Sequence, residues 1–198
     1  MWTYPETLRW ERRVPIWDQG GIGSCTGHAM AGLIGTDGLG RTGRDDVTDA
    51  LALELYERAT ALDPFPGSWP AQDTGSTTVA VAEAAMQLGL ITSYRHTRTV
   101  YGALDALRYG PCLFGLPWFS SCEEPRARGQ IPYTGHPYGG HEVVLVGFEP
   151  GEQMFVFANS RGPAWGDGGF FRMSYRDVSH ALWIGGEVVR PTFPRSEP

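Results

Sequence analysis

The stretch from residue 17 to residue 34, W-D-Q-G-G-I-G-S-C-T-G-H-A-M-A-G-L-I, has the pattern of a glycine-rich loop that runs into a helix at Cys25. Glycines before Cys25 allow a sharp turn, and apolar residues such as Ala29 and Leu33 recur at helical spacing after it. A thiol in the first turn of a helix lies near unpaired N–H groups, which favour the nucleophilic thiolate. We therefore predict an acyl-transfer centre at Cys25, where the Gln19 amide donates to the oxygen of the attacked carbonyl.

The composition is typical of a globular protein and excludes several classes of function. The chain has 198 residues, of which 41% are hydrophobic and 19% charged, and a net charge of −6. This balance gives no basic patch for nucleic acid or an anionic membrane, and no run approaches the ~18 apolar residues of a membrane-spanning helix. The start of the chain lacks the apolar core of a secretory signal. We expect a cytoplasmic monomer that binds neither nucleic acid nor membrane.

The three cysteines exclude a small disulfide scaffold. Cys112 and Cys122 could form a bridge, but nothing in the sequence requires it. The low number of cysteines is consistent with a reducing compartment.

The first half of the chain has helical patterns. After the helix at Cys25, which should end in the glycines of 35–40, a second helix is predicted from about 48 to 62, with Thr48 or Asp49 as its cap. A third is predicted at roughly 77–88, followed by Gly89 in a left-handed cap. Residues 63–75 are rich in proline and glycine and are predicted to be irregular.

The second half has strand patterns. A short helix is predicted at 101–109 and a strand at 111–119, followed by an exposed excursion over 120–140. Further strands are predicted at 141–148, 154–160, 169–174 and 183–189. A helical half of about 17–100 followed by an antiparallel half of about 101–190 predicts one α+β domain of two lobes.

A thiol nucleophile needs a base and a group that orients the base. His141 begins a strong strand after Gly139 and Gly140, which would hold its ring rigidly beside a cleft. Asn159 ends the next strand and could accept the Nδ1–H of His141. His28, three residues after Cys25, forms a C-x-x-H pair, but too few further ligands are evident for zinc, so we expect it beside the helix and predict no metal or cofactor.

At this point the residues resemble the papain family of cysteine peptidases, whose signature is well known. Residues 18–26 match the nucleophile block of that family, 139–148 its histidine strand, and 158–173 its asparagine turn and the strand after it. A weaker match is Q-D-T-G-S-T at 72–77. The resemblance covers most of the chain and implies a papain-like fold, with a helical N-terminal lobe, an antiparallel β C-terminal lobe and a cleft between them.

The resemblance also implies roles for particular residues. Cys25 would be the nucleophile, His141 the base and then the acid, and Asn159 the group that orients His141. Gln19, with the backbone N–H of Cys25, would form the oxyanion hole. The residues expected to contact an extended polypeptide substrate are Gly23, Gly75, Gly140 and, on the leaving-group side, Trp165.

The chain departs from the family pattern at several positions. Ile22 stands where a disulfide-forming cysteine is usual, and Thr26 replaces an aromatic residue. Arg161 replaces the tryptophan that shields the bond between histidine and asparagine, so we expect a bond more accessible to water, unless the guanidinium stacks over the same place. About 16 residues precede the nucleophile block, so we expect no inhibitory pro-segment, as in compact bacterial or phage-type members.

Three functions fit the sequence. The first is a thiol endopeptidase that works through an acyl-enzyme. The second uses the same triad on a cell-wall peptide, or transfers the acyl group to an amine. The third is a non-catalytic binding module on the same fold. Thr26 and Arg161 favour this function, whereas the presence of all four catalytic side chains argues against it.

Overall fold

Three helices that pack on one another form most of the N-terminal half of the protein. The structure is a computed structural model that describes residues 6–194. Helix α1 spans Cys25–Ile34, α2 spans Asp49–Leu62 and α3 spans Thr78–Gln87. The three helices predicted from apolar spacing are therefore confirmed.

The ends of these helices are closed by local hydrogen bonds. The Thr48 hydroxyl accepts a hydrogen bond from the backbone N–H of Leu51 at the start of α2, which confirms Thr48 as its cap. Gly89, after α3, has a φ of +69°, and the N–H of Leu90 donates to the carbonyl of Ala85 at 2.9 Å. This is the left-handed termination that the sequence predicts.

The described residues form an antiparallel sheet of seven strands. The strands are β1 Leu8–Arg9, β2 Ser93–Thr97, β3 Cys112–Phe119, β4 Pro137–Glu149, β5 Met154–Ala158, β6 Phe170–Ser174 and β7 Glu187–Thr192. Their order in the sheet is β2-β7-β3-β4-β5-β6, and β1 pairs with β4 beyond the end of β3. Two helices and two short 3-10 turns join the strands. The helices are α4 Val100–Leu107 and α5 Tyr175–Trp183, and the 3-10 turns are Ser120–Glu123 and Ala127–Gly129.

Two sequence predictions for the second half are wrong in part, and one strand of the first half was missed. Residues 137–140 belong to β4 and not to the excursion, because they pair with the end of β3. The strand predicted from 183 begins at Glu187, because residues 175–183 form α5, which Ser174 caps by accepting from the N–H of Asp177. Strand β2 was not predicted; it is a half-exposed strand at the edge of the sheet.

Both faces of the sheet are covered, which explains the long apolar runs of β3, β4 and β5. Leu113 and Val144 belong to the core with α1, α2 and α3. Their neighbours Phe114 and Val143 belong to a second core with α4 and α5. The protein is thus an α+β chain with a helical lobe and a β lobe, as predicted. Within residues 6–194, no helix has the length and apolar character needed to cross a membrane.

Candidate active site

Backbone hydrogen bonds bring the loop before Cys25 against the turn that contains Asn159. The N–H of Gln19 donates to the carbonyl of Ser160 at 2.9 Å, and the N–H of Gly162 donates to the carbonyl of Trp17 at 3.0 Å. Two segments from opposite ends of the chain are therefore held in register beside the first turn of α1.

A cleft of about 700 Å³ runs between the helical lobe and the sheet. The sequence-predicted residues that line it are Gln19, Gly23, Cys25, Gly75, Gly140 and His141. Asn159 and Trp165 lie outside its lining: Asn159 binds the far side of the His141 ring, and Trp165 packs on Trp118 and Phe171. The structure thus brings the predicted nucleophile, oxyanion donor and base to one cavity, with the orienting residue behind the base.

Cys25 is the first residue of α1, and its thiol is held against β4. The Ser24 hydroxyl makes no cap hydrogen bond within residues 6–194, so it does not compete with the thiol for the first N–H groups of the helix. Burial raises the pKa of the Cys25 thiol to about 11, and the charge of Glu142 adds to this, whereas backbone N–H groups of Glu142, Thr26 and Cys25 lower it. The N–H groups act as predicted, but burial outweighs them. The thiol therefore needs a base to become a nucleophile.

His141 on β4 is oriented by Asn159. Its Nε2 lies 2.7 Å from Asn159 Oδ1, and the same oxygen accepts the N–H of Ser160 at 2.8 Å. Because Oδ1 is an acceptor, Nε2 must carry the proton, which leaves the lone pair on Nδ1. The predicted contact through Nδ1 is therefore wrong: Asn159 holds Nε2, and Nδ1 is the basic nitrogen.

The bond between His141 and Asn159 is shielded from solvent, contrary to the prediction. His141 is 9% exposed and Asn159 4%. The indole of Trp118, on β3, packs against the imidazole, with 4.6 Å between the ring centroids. Burial lowers the pKa of His141 to about 4; the Asn159 hydrogen bond acts in the opposite sense, and the charge of Arg161 lowers the pKa further. The imidazole is consequently neutral, as a base must be.

A cluster around Glu123 holds Trp118 in place. The carboxylate of Glu123 accepts hydrogen bonds from Trp118 Nε1 at 2.7 Å, from Arg161 at 2.9 Å and from the hydroxyl of Tyr138. The Arg161 guanidinium lies over the Trp118 ring at 5.7 Å, and Trp165 Nε1 donates to the Glu123 carbonyl. Arg161 therefore supports the aromatic cover of His141 from behind. Glu123 lies in the 120–140 excursion, where no sequence pattern marked it.

The Gln19 amide is fixed at both ends. Its Nε2 donates to the carbonyl of Ile22 at 2.8 Å, and its Oε1 accepts the Ser160 hydroxyl at 2.6 Å. One N–H of the amide remains for the cleft. This is the arrangement that an oxyanion donor requires.

The glycines of the cleft are positioned by a second hydrogen-bond network, which the sequence did not indicate. Asp73 accepts the N–H of Gly23 at 2.9 Å and the hydroxyl of Tyr56, and that hydroxyl accepts the N–H of Gly75 at 3.0 Å. Asp73 was visible in the Q-D-T-G block, but its partner Tyr56 is on α2, and sequence alone does not relate the two.

His28 has structural partners, whereas the cysteines form no disulfide among the described residues. His28 is a buried residue of α1, and its ring contacts the carbonyl of Ser24 at 3.0 Å and the carboxylate of Asp49 at 2.9 Å. Cys25, Cys112 and Cys122 are free thiols. The part of the chain that the structure describes contains no group of three or more His, Cys, Asp or Glu side chains that could hold a metal ion.

The fold is similar to that of solved cysteine proteases. Xylellain, a cysteine protease from Xylella fastidiosa, superposes with a TM-score of 0.78 at 19% identity, over 96% of this chain and 87% of the other. The Carica candamarcensis cysteine protease CMS1MS2 superposes with a TM-score of 0.67 at 16% identity, over 97% and 100%. This protein has a papain-like fold.

Sequence comparison gives shorter matches. No family model matches the papain-like chain. It is 37% identical over 65 residues to an uncharacterized peptidase C1-like protein of Acanthamoeba polyphaga mimivirus, which is 30% of this chain and 21% of the viral protein. It is 33% identical over 69 residues to macrodontain-1 of Ananas macrodontes, which is 31% of this chain and 32% of that protein. The matches thus span a third or less of the relatives' own length, and they support the papain-family resemblance found in the sequence.

Proposed function

We propose that this protein is a thiol-dependent peptidase that hydrolyses peptide bonds through Cys25, His141 and Asn159. One observation carries the proposal: a buried hydrogen bond from His141 Nε2 to Asn159 Oδ1 turns the basic Nδ1 away from Asn159, in a cleft shared with the thiol at the start of α1. The resemblance to cysteine proteases in fold and in sequence supports the same function.

The proposed mechanism starts from the uncharged thiol and imidazole. Nδ1 of His141 takes the proton of the Cys25 thiol as the sulfur attacks the carbonyl carbon. The free N–H of Gln19 and the backbone N–H of Cys25 donate to the oxyanion of the tetrahedral intermediate. His141 then gives its proton to the departing amine, which leaves an acyl-enzyme. Water, deprotonated by His141, releases the acid and restores the thiol.

We propose an extended polypeptide as the substrate and a monomer as the active form. Gly23, Gly75 and Gly140 line the cleft and would present backbone groups to a peptide, as an edge strand does. Three free thiols support a reducing compartment such as the cytoplasm.

The test is selective labelling of Cys25. Iodoacetamide should modify Cys25 first, because Cys25 lines the cleft, whereas Cys112 and Cys122 are fully buried. Cys25→Ala and His141→Ala should each abolish cleavage of unfolded casein. Mass spectrometry of the tryptic peptides identifies the labelled residue, and Cys112 modified ahead of Cys25 would contradict the proposal.

The same samples separate the alternatives. Release of peptide from purified cell wall, with casein left intact, would indicate the cell-wall hydrolase. A folded sample that forms no covalent adduct with a thiol-directed inhibitor such as E-64 would indicate the binding module.

A further inference from the structure

The cleft contains two carboxyl groups that the proposed mechanism does not use. Glu142 follows His141 on β4 and is 3% exposed. Its Oε2 accepts the hydroxyl of Thr78 at 2.5 Å, but its buried Oε1 has no hydrogen-bond partner among the described residues. Glu187, the first residue of β7, lines the same cleft. Burying a carboxyl group whose hydrogen bonds are incomplete is costly, so Glu142 requires an explanation.

The register of the sheet places both carboxyl groups in one row. Gly115 of β3 pairs with Glu142 on one side and with Glu187 on the other. Directly opposed residues of neighbouring strands share a face of the sheet, so the two acidic side chains flank a position without a side chain. A Cβ at Gly115 would lie 2.6 Å from Thr78 Oγ1 and 3.1 Å from Glu142 Oε2. Because this residue is a glycine, Thr78 can approach the sheet closely enough to bind Glu142.

The titratable side chains around this space are acidic. Among the described residues that line the cleft, Glu142 and Glu187 are the acidic ones, and none is an arginine or lysine. His96 and Arg98 bind Glu187 Oε2 at 2.7 and 3.4 Å, but neither lines the cleft. The nearest cations therefore anchor Glu187 and do not reach the unpaired oxygen of Glu142.

The protonation of Glu142 is consistent with a missing counter-charge. Burial raises the pKa of Glu142 well above its ordinary value, and the charge of Glu187 raises it further, against the hydrogen bond from Thr78. A cation placed between the two groups would stabilise both carboxylates at once. Phe65, Leu116 and Ile184 also line the cleft and offer apolar surface for the aliphatic stem of a long side chain.

We propose that the pocket between Glu142 and Glu187 binds the positively charged side chain of an arginine or lysine near the scissile bond of the substrate. The guanidinium or ammonium enters from the cleft that both residues line and donates to the carboxyl group of Glu142. This inference rests on the peptidase function proposed above and makes that function selective for basic peptides.

The experiment compares arginine with citrulline, which has nearly the same shape and no charge. Fluorescence-quenched peptides carry one or the other at each position around a fixed scissile bond. At one position kcat/KM should be about 10- to 100-fold higher for arginine than for citrulline, because a hydrogen bond to a charged group typically strengthens binding by about this factor. Equal kcat/KM values at every position would overturn the inference while the peptidase function stands.

Variants test whether Glu142 causes the preference for arginine. Glu142→Gln retains an acceptor for Thr78 but cannot ionise when a cation binds, so the ratio of arginine to citrulline should fall close to one. Glu54→Gln is the matched control: it removes the same charge from the exposed face of α2, where Glu54 pairs with Arg58, and should keep the wild-type ratio. An unchanged ratio in Glu142→Gln, with iodoacetamide labelling of Cys25 to show that the variant is folded, would also overturn the inference.

A binding measurement separates this failure from failure of the proposed function. Cys25→Ala should bind the arginine peptide about 10-fold or more tightly than the citrulline peptide by fluorescence anisotropy. If neither peptide is cleaved by the wild type, the peptidase function fails, and the ratio of the two Kd values still decides the charge preference. Equal Kd values would refute it.

Discussion

Replacing Asn159 with aspartate should raise the pH at which Cys25 loses its reactivity in acid. The thiol reacts only while His141 can accept its proton, and burial holds the pKa of His141 at about 4. In Asn159→Asp a carboxylate replaces the amide whose oxygen lies 2.7 Å from Nε2. An opposite charge this close favours the imidazolium and raises a pKa by about 1 to 3 pH units. The acid limb of the pH profile, where Cys25 loses its reactivity, should therefore move from about pH 4 to between about pH 5 and pH 7.

Asn159→Ala should act in the opposite direction. It removes the hydrogen bond that raises the pKa of His141, so the acid limb should fall below its wild-type position. It also leaves the buried Nε2–H without its acceptor, at a cost of about 1 to 3 kcal/mol. Because 1.4 kcal/mol is a factor of ten, the rate on the plateau should fall by about 5- to 150-fold if that cost appears in the transition state.

The assay is the second-order rate constant of iodoacetamide alkylation between pH 3 and pH 8. Cys25 is the reporter because Cys112 and Cys122 are fully buried, and Cys25→Ser supplies the blank. Circular dichroism over the same range shows that each variant stays folded. An acid limb at the same pH in the wild type and in Asn159→Asp, or shifts of the same sign in the aspartate and alanine variants, would refute the role assigned to Asn159.

Three further predictions test the surroundings of the triad. Arg161→Ala removes a charge that lowers the pKa of His141, so the acid limb should move to higher pH, and a limb at lower pH would contradict this. Since the ion pair of Arg161 is about one-third exposed, the unfolding free energy should change by less than about 1 kcal/mol. Tyr56→Phe removes the hydroxyl that joins Asp73 to Gly75 and should cost about 1 to 2 kcal/mol in urea unfolding; an unchanged midpoint would exclude the network. Glu142→Gln should raise Tm at pH 8 but not at pH 4. At pH 8 the unfolded chain releases the Glu142 proton that the folded state retains, which destabilises the folded wild type but not the variant. Equal melting curves of wild type and variant at pH 8 would count against this.

The sequence predicts the helices and most strands because their signals are local. Apolar spacing and the cap at Thr48 determine α2 without reference to the rest of the chain. Helix α5 had the same kind of signal, with Val178, Ala181 and Leu182 at helical spacing, but it lies between two strands in an otherwise β-rich half. Strand β2 lacked a signal because an edge strand buries little of either face.

The candidate site was predictable where the chemistry of single residues restricts it. A thiol at a helix N-terminus, a histidine on a strand and a carboxamide after the next strand suggest a triad on their own. The choice of Nε2 over Nδ1 was not predictable, because it depends on how the His141 ring is turned towards Asn159 in the folded protein. Likewise, the shielding of His141 depends on Trp118, which lies on β3, outside the blocks that resemble the family.

Strand β4 supplies two functions from neighbouring residues because successive side chains of a strand face opposite sides of the sheet. His141 pairs with Leu116, in the core that contains Trp118, whereas Glu142 pairs with Gly115 and contacts Thr78 of α3. The base and the proposed specificity carboxyl therefore have separate supports. A change at Asn159, which orients the base, should then move the acid limb of the pH profile without altering the preference for arginine. Asn159→Asp should keep the wild-type ratio of arginine to citrulline cleavage, measured at a pH where the rate no longer depends on pH. A ratio that changed together with the limb would mean that the two faces of β4 are coupled and that Glu142 acts through the triad.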